Sequence, residues 1–538
     1  MRLLFLILTL SFLTAKSQTT NQVVKINNAF EEWNKPSLPG VAVTVVREGK
    51  VVYQKGFGMS VLNKGTLIDS STEFWIASVA KQFTAFGIYL LEASGELNLK
   101  KSVKEYLPEL PDVFKAVTIE QLVHHTSGIR DGFVLTALSK KTEEEYTNEN
   151  VLKYLKLQKD LNFKPGTAHE YNNSGYVLLA QIIERITKTK YPEFMKNKVL
   201  NPLDMTHSYV SGKFPSTEKI AQGYHSKDYS NTAGSFEEGH FMGDTYGSTG
   251  IITTISDMGK WAKFLQGSRH PVVYSKARAR LLETGGLNSG SRIGYAGGLE
   301  KFIYKGKVVY EHFGADEGFK ANALFFPKQN LSIIGLTNNT TNFGLSDRLY
   351  SIADILFNED LKAQVNNSSD SNLIWEQAYF IADPFPTYRN IKYYSGLARV
   401  SDVPGGTETN YYNTNVTFQT REPINRSLLE ISREKVIIRD PYNHQNKILH
   451  SIQLNSRSDD YRSFIGNYYS GELETGYQIT LDHGELYFEF VPGLRFKLNR
   501  LNNTYFIFDY YGPNYIEFVA NGFSLSREGI HKLRFRKS

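Results

Sequence analysis

Hydrophobic residues near the N-terminus are concentrated in two short runs, 40–47 (GVAVTVVR) and 51–58 (VVYQKGFG). Both runs are rich in β-branched residues, and the polar residues 48–50 (EGK) between them are typical of a hairpin turn. Runs of similar composition return at 308–313, 319–326 and 331–336. The pattern therefore predicts β-strands at both ends of the first two thirds of the chain.

Between these strands the hydrophobic residues follow helical spacing. From Ser78 onward they fall near one face of a helix that Gly95 is suited to end. Residues 118–121 (TIEQ) fit a capping box at the start of a short helix. Two further helices are predicted, at 174–186 and 256–267. Strands, then mostly helices, then strands again predict an α+β fold with one antiparallel sheet packed against helices.

The composition of the chain changes near residue 358. A polar run at 366–371 (NNSSDS) is typical of a linker, and short alternating strands with Asn and Gly turns dominate afterwards. A tyrosine-containing string near Tyr388 is echoed near Tyr461, as in two related β units. We therefore expect a linker with a first β unit over 359–456, and an all-β domain, a small barrel or sandwich, over 457–538.

The first 17 residues have the pattern of an export signal. Arg2 is followed by a hydrophobic run over 3–13, and residues 15–17 (AKS) place small side chains at the positions that a signal peptidase recognises. The run is shorter than the roughly 20 residues that span a membrane as a helix. We expect cleavage before Gln18 and a protein that is periplasmic or secreted, without a transmembrane segment in its mature form.

The composition excludes several classes of function. The 538 residues include no cysteine, which excludes disulfide scaffolds, thiolate metal sites and a cysteine nucleophile. The paired His124 and His125 lack a third nearby ligand, so we expect no metal. The net charge of +6 comes from 61 basic and 55 acidic residues without a long basic run, so nucleic acid is not an expected partner. A small-molecule or peptide substrate is expected instead, and the oligomeric state is left open.

Ser78 and Lys81 are the first candidates for catalytic chemistry. At a helix start, a spacing of three places the hydroxyl and the amine within contact distance, where Lys81 can activate Ser78 as a nucleophile. The same spacing recurs in two other pairs, Ser216–Lys219 and Ser432–Lys435. Those pairs lie in polar stretches, whereas Ser78 precedes an apolar helix that would bury Lys81 and make its pKa tunable.

Tyr171 and Asn173 form a second candidate pair. They follow a Pro-Gly turn and directly precede the helix predicted at 174–186. A tyrosine near a lysine can act as a phenolate base, and an asparagine side chain can orient a substrate amide. The same string occurs at four other tyrosines, Tyr146, Tyr229, Tyr388 and Tyr411. Tyr229 is the main alternative, but no apolar helix follows it.

The third candidate is His312 with Gly314, at the end of an apolar strand. A glycine beside a polar side chain allows a substrate backbone to approach the strand closely. The amide of Ala315 is then a candidate oxyanion donor, together with the amide of Ser78. Taken alone, His312 is more typical of an ordinary strand residue.

Together and in this order, the three strings resemble the motifs of the penicillin-recognising serine hydrolases, which include class C-type β-lactamases, DD-peptidases and related esterases. Three further strings reinforce the resemblance: 122–129 (LVHHTSGI), 202–205 (PLDM) and 250–258 (GIITTISDM). The resemblance covers about residues 25–358. The final segment, 457–538, resembles the lipocalin-like β module that is appended to many bacterial members.

The resemblance implies an antiparallel sheet with flanking helices and an all-helical subregion, and acyl transfer through a covalent seryl intermediate without a metal or organic cofactor. The implied roles are nucleophile for Ser78, proton transfer for Lys81 and Tyr171, substrate positioning for Asn173 and His312, and oxyanion binding for the amides of Ser78 and Ala315. Implied substrates are D-amino-acid peptides, small esters or β-lactams.

One departure concerns the third motif. His312 stands where β-lactamases usually have lysine, which implies weaker recognition of a substrate carboxylate. The alternative function is an exported binding or scaffold protein in which the hydrolase site has decayed.

Overall fold

The computed structural model describes residues 21–538 except 141, 143–144, 214, 216, 228–233, 241–242, 341–343, 358–374, 383–385, 395–396, 404–408, 414–417, 421–427, 432–434, 440–445, 453–460 and 511. The expected export signal, the linker-like run at 366–371 and residues Ser216, Tyr229 and Ser432 lie outside the described residues. Among the described helices, none combines the length and hydrophobicity that crossing a membrane requires.

The described helices belong mostly to the first two thirds of the chain. They are α1 (21–28), α2 (Lys81–Ala93), α3 (Val103–Tyr106), α4 (Ile119–Val123), α5 (Gly132–Leu138), α6 (Asn148–Lys156), α7 (Asn173–Thr187), α8 (Tyr191–Phe194), α9 (Ile255–Leu265), α10 (Val272–Leu281) and α11 (Leu345–Phe357). A short 3₁₀ turn, Ala77–Ala80, directly precedes α2.

The strands of the first domain surround these helices in sequence. They are β1 (Val41–Arg47), β2 (Lys50–Phe57), β3 (Met59–Val61), β4 (Thr66–Leu67), β5 (Glu73–Trp75), β6 (Tyr209–Val210), β7 (Tyr224–Ser226), β8 (Phe236–Glu238), β9 (Ile251–Thr254), β10 (Glu300–Tyr304), β11 (Lys307–Asp316), β12 (Phe319–Phe326) and β13 (Leu331–Thr337).

The main sheet of this domain is antiparallel, six-stranded and ordered β10-β11-β12-β13-β1-β2. The hairpin predicted at 40–58 is confirmed as β1 and β2, and its turn residues Glu48 and Gly49 both have positive φ, 51° and 73°. β1 pairs with β13 over its whole length, from Val41 opposite Thr337 to Arg47 opposite Leu331. The first and last strands of the domain therefore pair inside the sheet, with β2 at the edge next to β1.

Helices cover both faces of this sheet. Val43 and Val45 of β1 pack in one hydrophobic cluster with Leu349 of α11. The alternate residue Val46 packs in a second cluster with Trp261 of α9. Successive strand residues point to opposite faces, so both faces of β1 are buried and its sequence is almost continuously hydrophobic. The α+β fold expected from the sequence is confirmed.

Local capping residues fix the helix starts near the site. The capping box predicted at 118–121 is confirmed, because the Thr118 and Gln121 side chains each bond the other residue's backbone amide. The helix predicted at 174–186 is α7, which begins after the N-cap residue Asn172. The helix predicted at 256–267 is α9, whose N-cap is Thr254.

Two all-β units follow the first domain. A closed eight-stranded barrel contains β14 (Trp375–Ile381), β15 (Thr387–Tyr394), β16 (Leu397–Ser401), β17 (Thr409–Asn413), β18 (Phe418–Thr420), β19 (Leu428–Ile431), β20 (Lys435–Arg439) and β21 (Asn446–Ile452). The last segment forms one nine-stranded antiparallel sheet of β22 (Gly466–Ser470), β23 (Thr475–Asp482), β24 (Glu485–Val491), β25 (Leu494–Lys497), β26 (Asn499–Arg500), β27 (Tyr505–Asp509), β28 (Pro513–Val519), β29 (Gly522–Arg527) and β30 (Ile530–Lys537).

The nine-stranded sheet is in contact with both other parts of the molecule. The Tyr515 hydroxyl accepts a hydrogen bond from the amide of Tyr388 in the barrel, at 2.8 Å. Toward the first domain, buried aromatic residues such as Tyr477 and Phe535 belong to the same hydrophobic cluster as Leu138 of α5. The first domain and the C-terminal sheet therefore share a continuous core.

Candidate active site

Ser78 lies on the 3₁₀ turn between β5 and α2. Its neighbours Ala77, Val79 and Ala80 are buried, whereas Ser78 itself remains partly exposed. Ala77 has a φ of 45°, a left-handed conformation that costs a non-glycine residue on the order of 1–3 kcal/mol. The strained turn presents the Ser78 hydroxyl at the surface of an otherwise closed core.

Lys81 is fully buried beneath Ser78 and makes three hydrogen bonds. Its Nζ donates to Ser78 Oγ at 3.0 Å, to Asn173 Oδ1 at 2.9 Å and to the Ser248 carbonyl at 2.9 Å. Burial lowers the pKa of Lys81 to about 7, although the carboxylates of Asp131 and Asp316 act in the opposite direction. A large fraction of Lys81 is therefore neutral near pH 7 and able to accept a proton from Ser78.

Tyr171 lies on the other side of the same amine. The Lys81 Nζ is 4.8 Å from the centre of the Tyr171 ring, and the Ser78 side chain is near enough to the Tyr171 phenol to lower its pKa. Burial raises the pKa of Tyr171 above its ordinary value, and the nearby Ser78 side chain only partly offsets this. Tyr171 therefore keeps its proton at neutral pH, which favours Lys81 as the first proton acceptor and neutral Tyr171 as a proton donor or carrier.

Asp131 connects Asn173 to a second helix. The backbone amide of Asn173 donates to Asp131 Oδ2 at 2.7 Å. Asp131 Oδ1 accepts from the backbone amide of Phe133 at 2.9 Å and so caps α5. One carboxylate therefore fixes the starts of α5 and α7, and so holds Asn173 toward Lys81. Asp131 is not among the candidates drawn from the sequence, although an aspartate before a helix start is a recognisable cap.

His125 is a second site residue that is absent from the candidates drawn from the sequence. Its carbonyl accepts from the amide of Glu170 at 2.9 Å, and its Nδ1 accepts from the amide of Asn172 at 3.2 Å. Its ring centre lies 4.6 Å from that of Tyr171. Burial holds the pKa of His125 well below its ordinary value, so the ring is neutral. His125 therefore fixes both flanks of Tyr171.

Gly314 lies directly against the turn of the serine. A Cβ at this position would lie 2.5 Å from the Ile76 carbonyl oxygen and 3.0 Å from the Ser78 amide nitrogen, so the approach requires glycine. β11 continues past Gly314 to Asp316. Ala315 is exposed and lines the same cavity as Ser78, so its backbone amide remains a candidate oxyanion donor.

His312 lies below the site rather than at its surface. It is 4% exposed, its Nδ1 is 2.7 Å from the Phe313 carbonyl, and its Nε2 is 3.1 Å from the Tyr295 hydroxyl. Burial, with the nearby charge of Lys81, lowers its pKa to about 3. The neutral ring donates from Nδ1 and accepts at Nε2. Both nitrogens are used within the protein, so contact with a substrate would require a rearrangement.

A cavity of about 720 Å³ opens from Ser78. Its lining includes Ser78, Asn173, Ala315 and Asp316. Burial raises the pKa of Asp316 to about 7, and the charge of Glu317 adds to this effect. The wall comes from two domains and combines apolar residues, Phe133, Val134 and Ala137 of the first domain with Phe490 and Val491 of the C-terminal sheet, and polar or charged ones such as Lys140, His240, Thr249, Glu317 and Arg527. Among the described residues, no group of three or more acidic or histidine side chains could hold a metal ion.

Comparison with known proteins gives a family match and several similar relatives. Residues 26–357 match the profile of the family described as Beta-lactamase. Protein flp of Staphylococcus aureus (strain MRSA252) is 28% identical over 320 residues, which are 57% of this chain and 61% of that protein. Penicillin-binding protein 4* of Bacillus subtilis (strain 168) is 28% identical over 352 residues, 63% of this chain and 77% of that protein.

The similarity to solved structures extends beyond the first domain. An octameric penicillin-binding protein homologue from Pyrococcus abyssi superposes with a TM-score of 0.57 at 20% identity, covering 80% of this chain and 99% of that one. At this identity the similarity shows a common fold. The sequence match to protein flp spans less than two thirds of the length of that relative.

Proposed function

The chain belongs to the Beta-lactamase family, and from this premise we propose that it is an exported serine hydrolase that cleaves an amide or ester through an acyl-enzyme on Ser78. The observation that carries the proposal is the contact between the Ser78 hydroxyl and the buried Lys81 amine, at 3.0 Å and with a lysine pKa of about 7. Export rests on the signal-like pattern of residues 1–17.

In the acylation step, Ser78 Oγ attacks the substrate carbonyl carbon and its proton passes to the neutral Nζ of Lys81. The carbonyl oxygen becomes an oxyanion, which the amides of Ser78 and Ala315 stabilise. When the oxyanion collapses, the bond to the leaving group breaks. The leaving amine or alcohol receives a proton from Lys81, directly or through the Tyr171 hydroxyl.

In the deacylation step, a water molecule attacks the ester carbonyl of the acyl-enzyme. Its proton passes to the Lys81 and Tyr171 pair, and the second tetrahedral intermediate collapses to a free acid. Ser78 Oγ takes back a proton as it leaves. The step restores the starting protonation state and requires no group other than substrate and water.

The surroundings of β11 favour neutral acyl groups over substrates with a carboxylate next to the reacting carbonyl. His312 is buried and neutral, and Asp316 adds a carboxyl group to the cavity beside Ala315. We therefore propose small esters and D-amino-acid amides as the preferred substrates, with slower cleavage of substrates that carry this carboxylate, β-lactams among them. The alternative of a decayed site is disfavoured because the Lys81 amine still contacts both Ser78 and Asn173.

A covalent probe tests the proposal. The mature protein and its Ser78→Ala variant are treated with a fluorophosphonate and with a fluorescent penicillin, and adducts are located by intact-mass and peptide analysis. We expect one fluorophosphonate adduct, on Ser78, and none in the variant. An adduct on Ser216 or Ser432, or labelling that persists in Ser78→Ala, would refute the assignment, and N-terminal sequencing of the exported protein tests cleavage before Gln18.

A further inference from the structure

The last turn of the C-terminal sheet lies against the segments that carry Tyr171 and Asn173. This turn, Glu528-Gly529, joins β29 to β30, and His531 is the second residue of β30. We propose that Gly529 and His531 are positioning residues for the reaction of Ser78, acting through Asp131 and Glu170. The inference rests on the proposed function, because it concerns the rate of the same acyl transfer.

The first connection runs through Asp131. Its backbone amide donates to the Gly529 carbonyl at 2.8 Å, and its side-chain Oδ2 accepts from the Asn173 amide at 2.7 Å. The Asn173 side chain in turn accepts from Lys81 Nζ at 2.9 Å. A continuous series of hydrogen bonds therefore joins the C-terminal turn to the amine that contacts Ser78.

The second connection runs through Glu170, the residue before Tyr171. Glu170 Oε1 is 2.6 Å from His531 Nε2 and 3.3 Å from the Gly529 amide, and its Oε2 accepts from Asn162 Nδ2 at 3.0 Å. Burial alone would raise the pKa of Glu170, but the hydrogen bonds, with that of His531 first, hold it below its ordinary value. Glu170 is therefore ionised, and His531 Nε2 must be the donor.

The close approach of the two domains is built into the backbone. Gly529 has a φ of 79°, and a Cβ there would lie 2.9 Å from the Cβ of Asp131. The residue before Asp131 forms a buried ion pair across the same interface, with Arg130 Nη1 at 2.6 Å from Glu472 Oε2. Because the loss of either partner of a buried pair is costly, this pair holds the segment that precedes Asp131 against the C-terminal sheet.

These contacts have a direct consequence for the rate. Tyr171 and Asn173 are separated by one residue. The C-terminal turn is hydrogen-bonded to Glu170, which precedes Tyr171, and to Asp131, which accepts from the backbone amide of Asn173. A displacement of about 1 Å in catalytic groups can cost on the order of 100-fold in rate. Loss of the contact between His531 and Glu170 is therefore expected to slow acylation without removing any group that touches the substrate.

The test compares three variants of the full-length protein. His531→Ala removes the donor to Glu170, and His531→Gln restores an amide donor near the same position. Arg534→Ala is the matched control, because Arg534 is on the same strand and forms an exposed ion pair with Asp160 of the first domain at 3.0 Å. The measurements are kcat and KM for a p-nitrophenyl ester, with melting temperatures to establish that each variant is folded.

We expect His531→Ala to lower kcat by about 10- to 100-fold with KM within a factor of about two, His531→Gln to recover most of the loss, and Arg534→Ala to match wild type. If His531→Ala does not fold, Glu170→Gln replaces it, with a smaller loss of kcat expected. The inference would be overturned if the kcat of His531→Ala equalled that of Arg534→Ala, or if kcat did not recover in His531→Gln. If wild type is neither labelled nor active, the proposed function itself fails.

Discussion

At the scale of single residues, the burial of Lys81 decides which groups carry protons. Its pKa of about 7 predicts that kcat/KM for a neutral ester rises with pH and levels off above about pH 7, as the amine loses its proton. The plateau should continue to high pH because burial raises the pKa of Tyr171. Since the Asp316 charge raises the pKa of Lys81, Asp316→Asn should move the midpoint to lower pH. A midpoint near the ordinary lysine value would contradict this assignment.

Asp316 carries a second prediction, on substrate choice. Its pKa is raised to about 7, first by burial and then by Glu317, so it is mostly neutral at pH 6 and mostly charged at pH 8. The charged Asp316 repels the carboxylate of a cephalosporin but not a neutral ester, and such repulsion is stronger in a cavity than in water. The ratio of cephalosporin to ester turnover should therefore fall about threefold or more between pH 6 and pH 8.

The matched variant for this prediction is Asp316→Asn, in which the ratio should be nearly independent of pH. The measurement is kcat/KM for a chromogenic cephalosporin and a p-nitrophenyl ester at both pH values. A ratio that falls equally in wild type and variant would assign the effect to another group.

At the scale of elements, the sequence was sufficient wherever the determining contacts are local. The β1–β2 hairpin, the capping box at Thr118 and helix α7 follow from turn residues, caps and spacing, and all are confirmed. The predicted Ser78–Lys81 contact is also local, and the structure shows it.

Other features depend on partners far away in sequence. Asp131 acts on Asn173 across 42 positions, and His125 acts on Asn172 across 47 positions. No spacing rule connects residues at such separations, so neither contact could be read from the chain. The burial of His312 is similar, because Tyr295, its partner on a separate segment, is brought beside it only by the fold.

The close contact between β11 and the serine turn predicts a large effect from one methyl group. Gly314→Ala would place Cβ 2.5 Å from the Ile76 carbonyl oxygen, so backbone atoms must move. We expect a loss of about 1–3 kcal/mol in the free energy of unfolding and strongly reduced labelling of Ser78.

Gly259→Ala in α9 is the matched control, because its new Cβ would have ordinary contacts of 3.7 Å or more. Alanine should be neutral or stabilising there by up to about 1 kcal/mol. Urea unfolding and fluorophosphonate labelling of the two variants provide the comparison, and equal behaviour would show that β11 can move freely.

At the scale of the whole molecule, the shared core predicts that the first domain and the C-terminal sheet unfold together. Glu472→Ala would leave the Arg130 guanidinium, 1% exposed, without its carboxylate. Breaking such a buried pair costs about 3–5 kcal/mol, whereas Arg534→Ala, at an exposed pair, should cost less than about 1 kcal/mol.

The free energy of unfolding of both variants is measured in urea titrations, with tryptophan fluorescence and far-UV circular dichroism as the two signals. We expect coincident transitions for each protein and a clear shift only for Glu472→Ala. Separate transitions, or a shift no larger than that of Arg534→Ala, would mean that the two domains unfold independently.

The position of β1 between β2 and β13 also sets an order of events during synthesis. The N-terminal hairpin emerges early, but one edge of β1 has to wait for residues 331–337 before it gains a partner. Pairing at such long range is slow, and an unpaired hydrophobic strand is prone to aggregation. Under the proposed export, a delay of this kind would keep the first domain from locking into its final sheet until residues 331–337 are available, which would leave the chain unfolded for longer.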